Sequence, residues 1–226
     1  MDTPEMDLNQ AIKARHAVRR YTDRAVEGDV AEELRAAVEA ANAAAGLALQ
    51  LVLDEPKCFS GPRTMGQFRG VRNYLAVVGP KGPAGAEACG RLGERVVLRA
   101  TQLGLNSCWV GLTYNKRAMP ITVGPGETVH AAIALGYGVS AGEPHKSKPI
   151  EALTSAKPPF PDWFRRGLEA AQLAPSAMNQ QKFRFDLEDD AVRARPGGAY
   201  GEVDLGIAKC HFEIGAGPEG WSWADS

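Results

Sequence analysis

The run Tyr74-Leu75-Ala76-Val77-Val78 puts apolar side chains on both faces of an extended chain, so the strand it forms needs a central place and cover from two sides. Further strands are expected over residues 49–53, 105–112 and 129–137, the first stopped by Asp54-Glu55-Pro56 and the last ending in Gly136-Tyr137-Gly138. Cover comes from two amphipathic helices. One starts at Asp29, read as the N-cap with Glu32 three residues on, carries Val30, Leu34, Ala37, Val38 and Ala41 on one face, and ends at Gly46. The other runs over residues 84–104 with Leu92, Val96, Val97, Ala100 and Leu103 as its stripe. Helices and strands of this kind define an α+β chain. Residues 57–72 and 113–125 read as ordered loops, and the proline-rich stretch through Pro161 is the one plausible linker.

Beyond that linker the chain echoes itself. Residues 165–172 align with 35–42 as alanine-rich helix, and 183–189 align with 49–55 as strand. Four extra residues separate the second pair, and they fall within 175–181. A weaker echo matches Gly93-Glu94 with Gly201-Glu202, both read as opening helices. Two halves are therefore expected, residues 1–150 and a shorter 162–226, packed as one unit; chance similarity of alanine-rich helices is the other reading.

Several partner classes lack support. A net charge of -1, with no basic run interleaved with aromatics, gives no reason to expect nucleic acid or an anionic membrane. The acidic opening segment, residues 1–10, has no apolar core of signal-peptide length, and the expected compartment is the cytoplasm. Cys58, Cys89, Cys108 and Cys210 share no metal-knuckle or redox spacing and read as buried reduced thiols; no metal site is expected.

Two stretches carry chemistry. Arg15-His16-Ala17-Val18-Arg19-Arg20 concentrates cations beside the end of a short helix over residues 8–15, where it could hold a phosphate or lie solvated. Ala174-Pro175-Ser176-Ala177-Met178-Asn179-Gln180-Gln181 stops a helix and offers short polar groups, the outline of a binding loop.

Four segments together resemble the FMN-dependent nitroreductase family, from residue 11 to about 150 and again from 162 to 215. They are Arg15-His16-Ala17-Val18-Arg19, Gly104-Leu105-Asn106-Ser107-Cys108-Trp109-Val110-Gly111, Gly136-Tyr137 with Lys146-Ser147-Lys148-Pro149, and the Ala-Pro-Ser stretch. The resemblance implies a three-layer fold with a mixed, mainly antiparallel sheet flanked by helices. It also implies a two-fold dimer with FMN at the interface, the cations from one subunit and the Ala-Pro-Ser loop from the other. Here that loop follows the second helix copy, whereas the first copy ends in Ala44-Ala45-Gly46. The reading is a single-chain pseudo-dimer, able to stand as a monomer, that builds one complete site.

By the same resemblance, Arg15 aided by Lys146 and Lys148 would bind the FMN phosphate, His16 and Ala17 would belong to the same cofactor site, and Arg19 would sit beside flavin N1 and O2. At about 4 Å and an effective dielectric near 20, such a pair is worth about 4 kcal/mol before desolvation, on the order of 90 mV for a two-electron couple. Backbone N–H groups at Gly111 or Leu112 would face N5, Trp109 would belong to the same site, and Pro175, Ser176, Ala177 and Asn179 would cover ring and tail. The implied activity passes hydride from NADH or NADPH through the flavin to a small acceptor such as a nitroaromatic, quinone or enone, and no side chain is assigned as acid or base. Ala17 stands where the family has serine, a hydroxyl contact of roughly 1.5–3 kcal/mol, and Lys182-Phe183 replace Pro-Trp. Two alternatives stay open: an FMN-binding or flavin-fragmenting protein without NAD(P)H oxidase turnover, and a degenerate scaffold without cofactor.

Overall fold

A computed structural model of the chain describes residues 6–224. Residues 1–5 of the acidic opening segment, and the last two residues of the second half, lie outside the described residues.

The first half holds a four-stranded, wholly antiparallel sheet in the order β1-β2-β4-β3, built from β1 (Gln50–Val52), β2 (Asn73–Pro80), β3 (Asn106–Val110) and β4 (Glu127–Gly136). The two-faced strand β2 is central, and its alternation divides the core. Leu75 and Val77 point into an aliphatic layer against α2 (Gly28–Ala45) and α3 (Pro83–Gln102), while Tyr74, Ala76 and Val78 meet an aromatic layer of Tyr21, Phe59, Phe68 and Tyr114. A fully buried leucine such as Leu75 contributes about 1.5–3 kcal/mol, so both covers are needed to hold the strand. Loops rather than helices supply the second cover.

The second half packs α4 (Asp162–Ala171) and α5 (Gly201–Ala216) on a small sheet ordered β5-β6-β7: β5 (Arg184–Glu188), β6 (Ala191–Arg195) and β7 (Ser222–Trp223). Its core is aromatic, with Phe185 stacked on Phe212 and edge contacts to Phe164 and Trp221. Each half thus contains helix, two antiparallel strands and helix in order: α2-β1-β2-α3 and α4-β5-β6-α5. The halves meet where α5 lies along α3. Their crossing is tight because it is made at glycines: a Cβ on Gly206 would lie 2.0 Å from the Glu87 carbonyl oxygen, and one on Gly90 would lie 2.2 Å from that of Val203.

Some details differ from expectation. The helix expected from Asp29 begins at Gly28 with Glu27 as N-cap and no side-chain cap bond, and Asp29 occupies the first turn, where its charge still complements the dipole. Gly93-Glu94 lie in the middle of α3 rather than at its start, so the weaker echo does not describe equivalent positions, whereas Gly201 does open α5. β6 and β7 had no strong signal in the sequence: β6 alternates arginine with small apolar residues, and β7 is two residues long. All four cysteines are buried and free. No helix among the described residues is long and apolar enough to cross a membrane.

Candidate functional site

Residues 15–21 leave the short helix α1 (Leu8–Ala14) in an extended conformation and run along the sheet edge. Ala17 bridges Ser107 of β3, the Val18 N–H donates to the Ser107 carbonyl (2.9 Å), and the Tyr21 N–H donates to the Arg69 carbonyl (2.9 Å). An extended chain sends alternate side chains to opposite sides. Arg15, Ala17 and Arg19 accordingly line one cavity, Val18 enters the aromatic core, and His16 faces away from the cavity.

This cavity, about 700 Å³, lies between the halves. The first half contributes that cationic edge, the end of β3 with Cys108, Trp109, Gly111 and Leu112, and the strap residues Gly142, Glu143 and His145. The second half contributes Pro175, Ser176, Ala177, Met178 and Asn179, and one face of α5. Ten of the thirteen residues expected at a cofactor line this space together, Arg15 and Asn179 among them.

The other three do not. His16 is turned aside by the strand alternation. Lys146 and Lys148 secure the Ala-Pro-Ser loop from behind: the Lys146 carbonyl accepts from Asn179 Nδ2 (2.8 Å) and Gln181 Nε2 (3.2 Å). The Lys148 N–H donates to Gln181 Oε1 (2.8 Å), and its Nζ donates to the Gln181 carbonyl (3.1 Å). The strap passes so close to the cationic edge that a Cβ on Gly142 (φ +81°) would come within 2.8 Å of the His16 Cβ, and it delivers His145 rather than either lysine to the cavity.

The loop itself is strained. Met178, Asn179 and Gln181 all have φ between 46° and 54°, the left-handed region that costs side-chain-bearing residues about 1–2 kcal/mol. Asparagine tolerates it better than methionine or glutamine. Hydrogen bonds offset the strain: the Gln181 N–H donates to Ser176 Oγ (2.9 Å), Gln181 Nε2 to Asn179 Oδ1 (2.9 Å), and the Ala177 N–H to both oxygens of Asp204.

Sequence reasoning missed the α5 wall. Tyr200, Val203, Asp204 and Ile207 recur at the helical spacing i, i+3, i+4, i+7 and all line the cavity. That periodicity was the available signal. Tyr200 packs against Gly111, where a Cβ would lie 2.6 Å from the phenol Cζ, so no larger residue fits at 111 in this arrangement. Burial pushes Asp204 up to about 6, against the opposing pull of the Ala177 N–H, and burial followed by the Asp204 charge raises Tyr200.

Arg15 is buried, and its Nε makes no hydrogen bond. Its nearest counter-charge, Glu94 Oε1 at 3.6 Å, is engaged elsewhere: Glu94 also accepts from His211 Nε2 (2.9 Å) and Trp109 Nε1 (2.7 Å). A buried guanidinium with unused donor capacity at the wall of a cavity suits an anion. Val203, Ile207, Ala131 and Val110 add apolar lining to the same cavity. Among the described residues no group of three or more histidines, cysteines or carboxylates is placed to hold a metal.

A sheet covered on one face by helices, a second half closing over its edge, and a cavity lined by two arginines, two carboxylates and apolar side chains define a nitroreductase-like α+β protein. A family model described as "Putative TM nitroreductase" matches residues 7–216, and the chain belongs to that family. A solved structure described as a putative nitroreductase from Thermotoga maritima is 22% identical with a TM-score of 0.70, covering 95% of this chain and 85% of that one. Another, from Desulfovibrio desulfuricans and solved in complex with FMN, is 24% identical with a TM-score of 0.51, covering 71% of this chain and 100% of its own. A nitroreductase family protein from Streptococcus pneumoniae is 14% identical with a TM-score of 0.53, over 67% and 100%. Among curated proteins none matches.

Proposed function

We propose that this protein is an FMN-dependent oxidoreductase whose single chain builds one complete flavin site. The observation that carries the reading is that Arg15 and Arg19 of the front half and Pro175 to Asn179 of the back half face one cavity of about 700 Å³. When bound, FMN supplies reversible two-electron storage between a hydride donor, NADH or NADPH, and a small acceptor such as a nitroaromatic, quinone or enone.

The chain's own residues have separable tasks. Arg15, buried and with Nε free of hydrogen bonds, anchors the phosphate. Arg19, exposed on the same edge, lends positive charge to the pyrimidine side of the ring and so favours the anionic reduced form. Trp109 with the α5 face excludes water from one side, and the hydrogen-bonded loop holds Pro175, Ser176 and Asn179 over the tail. Leu112 and Met178, 79% and 82% exposed, leave an apolar mouth where donor and acceptor exchange in turn.

We read residues 1–150 and 162–226 as related halves of a pseudo-dimer, supported by the repeated helix-strand-strand-helix order and the glycine crossing of α3 with α5. Such a chain works as a monomer on small molecules in the cytoplasm, with neither nucleic acid nor membrane as partner. The test is colour followed by bleaching. Purified protein should show flavin absorbance, or gain it on soaking with FMN, and lose it anaerobically on adding NADH or NADPH. No flavin absorbance under either condition overturns the assignment, and bound flavin that neither nucleotide bleaches leaves a binding protein without turnover.

A further inference from the structure

Neither lysine that the sequence offers to a phosphate reaches the cavity, and Ala17 supplies no hydroxyl. Lys148 Nζ donates to the Gln181 carbonyl, and neither Lys146 nor Lys148 lines the cavity. What the strap brings to the same wall as Arg15 is His145. Its position is fixed from both halves: Gly142, three residues earlier, packs on His16, Val18 and the Ala17 carbonyl, and His145 Nε2 lies 3.2 Å from the Gln172 carbonyl just beyond α4.

We propose that His145 takes the place of the lysines beside Arg15, so that the cavity binds a phosphate monoester together with a proton. The inference rests on the FMN reading and concerns how that ligand is held. A carbonyl can only accept, so Nε2 carries the hydrogen in that contact and Nδ1 is the nitrogen left over. In the neutral ring Nδ1 is a bare lone pair that repels an oxyanion. Once protonated it is a donor with a full positive charge, and binding and protonation are therefore linked.

The surroundings favour the neutral form of the His145 ring. Burial lowers His145, and the charges of Arg15, His16 and His211 lower it further, with the Gln172 carbonyl pulling the other way. Glu143 lines the same cavity and raises His16, while Glu94 is taken up by Trp109 and His211. A dianion placed beside Arg15 reverses the sign of this field and raises His145. The sign follows: a group whose pKa rises on binding favours binding at low pH, and the advantage fades as pH climbs past the bound-state value, by at most about tenfold per pH unit for one proton.

The experiment uses the full chain freed of flavin. FMN and riboflavin are titrated by fluorescence quenching between pH 6 and 8.5, with wild type, His145→Gln, His145→Asn and Lys146→Met in parallel. Proton uptake is read by calorimetry in two buffers of different ionisation enthalpy. The expected result is proton uptake on FMN binding by wild type that exceeds that of both His145 variants. The wild-type preference for FMN over riboflavin should weaken severalfold across this range relative to those variants, and Lys146→Met should behave as wild type. Riboflavin affinity common to all four reports that the cavity is intact. FMN bound by wild type and the His145 variants with the same pH profile and the same proton uptake overturns this proposal alone. Wild type that binds no FMN at any pH overturns the flavin reading and this one with it.

Discussion

Asp204 of α5 accepts the Ala177 N–H on both carboxylate oxygens, at 3.1 and 3.0 Å, and so ties the strained Ala-Pro-Ser loop to the wall it faces. The bond is made by a carboxylate that burial has raised to about 6 from an ordinary 3.8. A carboxyl raised on folding favours the protonated native state. Its contribution is complete below pH 4 and is lost as pH rises through 6. Asp204→Asn keeps an acceptor for Ala177 and removes the buried charge. The variant should match wild type near pH 4 and become more stable above pH 6, by up to about 3 kcal/mol, in denaturant melts across that range.

Arg15 is the buried cation most exposed to test. Arg15→Met leaves Glu94 without its cationic neighbour, and breaking a buried pair costs about 3–5 kcal/mol. If Arg15 also anchors a phosphate, FMN affinity should fall by about 10- to 100-fold more than riboflavin affinity, the size of a lost charge-assisted bond. Parallel titrations with the two flavins separate the effects, because general destabilisation weakens both equally.

The glycine crossing sets how closely the halves approach. Gly206→Ala pushes a Cβ against the Glu87 carbonyl, which is helix backbone and cannot swing aside. The expected cost is about 1–3 kcal/mol in unfolding, accompanied, if the cavity holds FMN as proposed, by faster flavin release as the space between α5 and the front half widens. Glu202→Ala, at a half-buried position of the same helix, serves as the comparison.

Met178 invites the opposite prediction. Its φ is 51° and its side chain is 82% exposed, so it holds an unfavourable backbone with few contacts in return. Met178→Gly should stabilise the fold by about 0.5–1 kcal/mol, the relief of left-handed strain less the added chain entropy of glycine. Thermal melting measures the gain, and, if the proposed activity holds, a rise in KM for aromatic acceptors would reveal the methionine's part at the mouth.

The sequence by itself determined what local pattern can encode. The two-faced run at Tyr74 to Val78 required a central strand, the apolar periods of α2 and α3 required helices to cover it, and the proline after α4 marked a helix stop with short polar groups, the outline of a binding loop. Alternation along residues 15–19 would even have separated Arg15, Ala17 and Arg19 from His16. Only the tertiary structure decided which cations reach the cavity. Lys146, Lys148 and His145 differ by three positions in one strap, and the packing of Gly142 on His16 with the demands of the Gln181 hydrogen bonds turns the histidine in and the lysines out. The same holds for Tyr200 and Asp204. Helical spacing puts them on one face of α5, but whether that face meets a core, a partner or a ligand depends on the close passage of Gly206 over α3. That passage is a contact between residues more than a hundred positions apart, and no local preference specifies it.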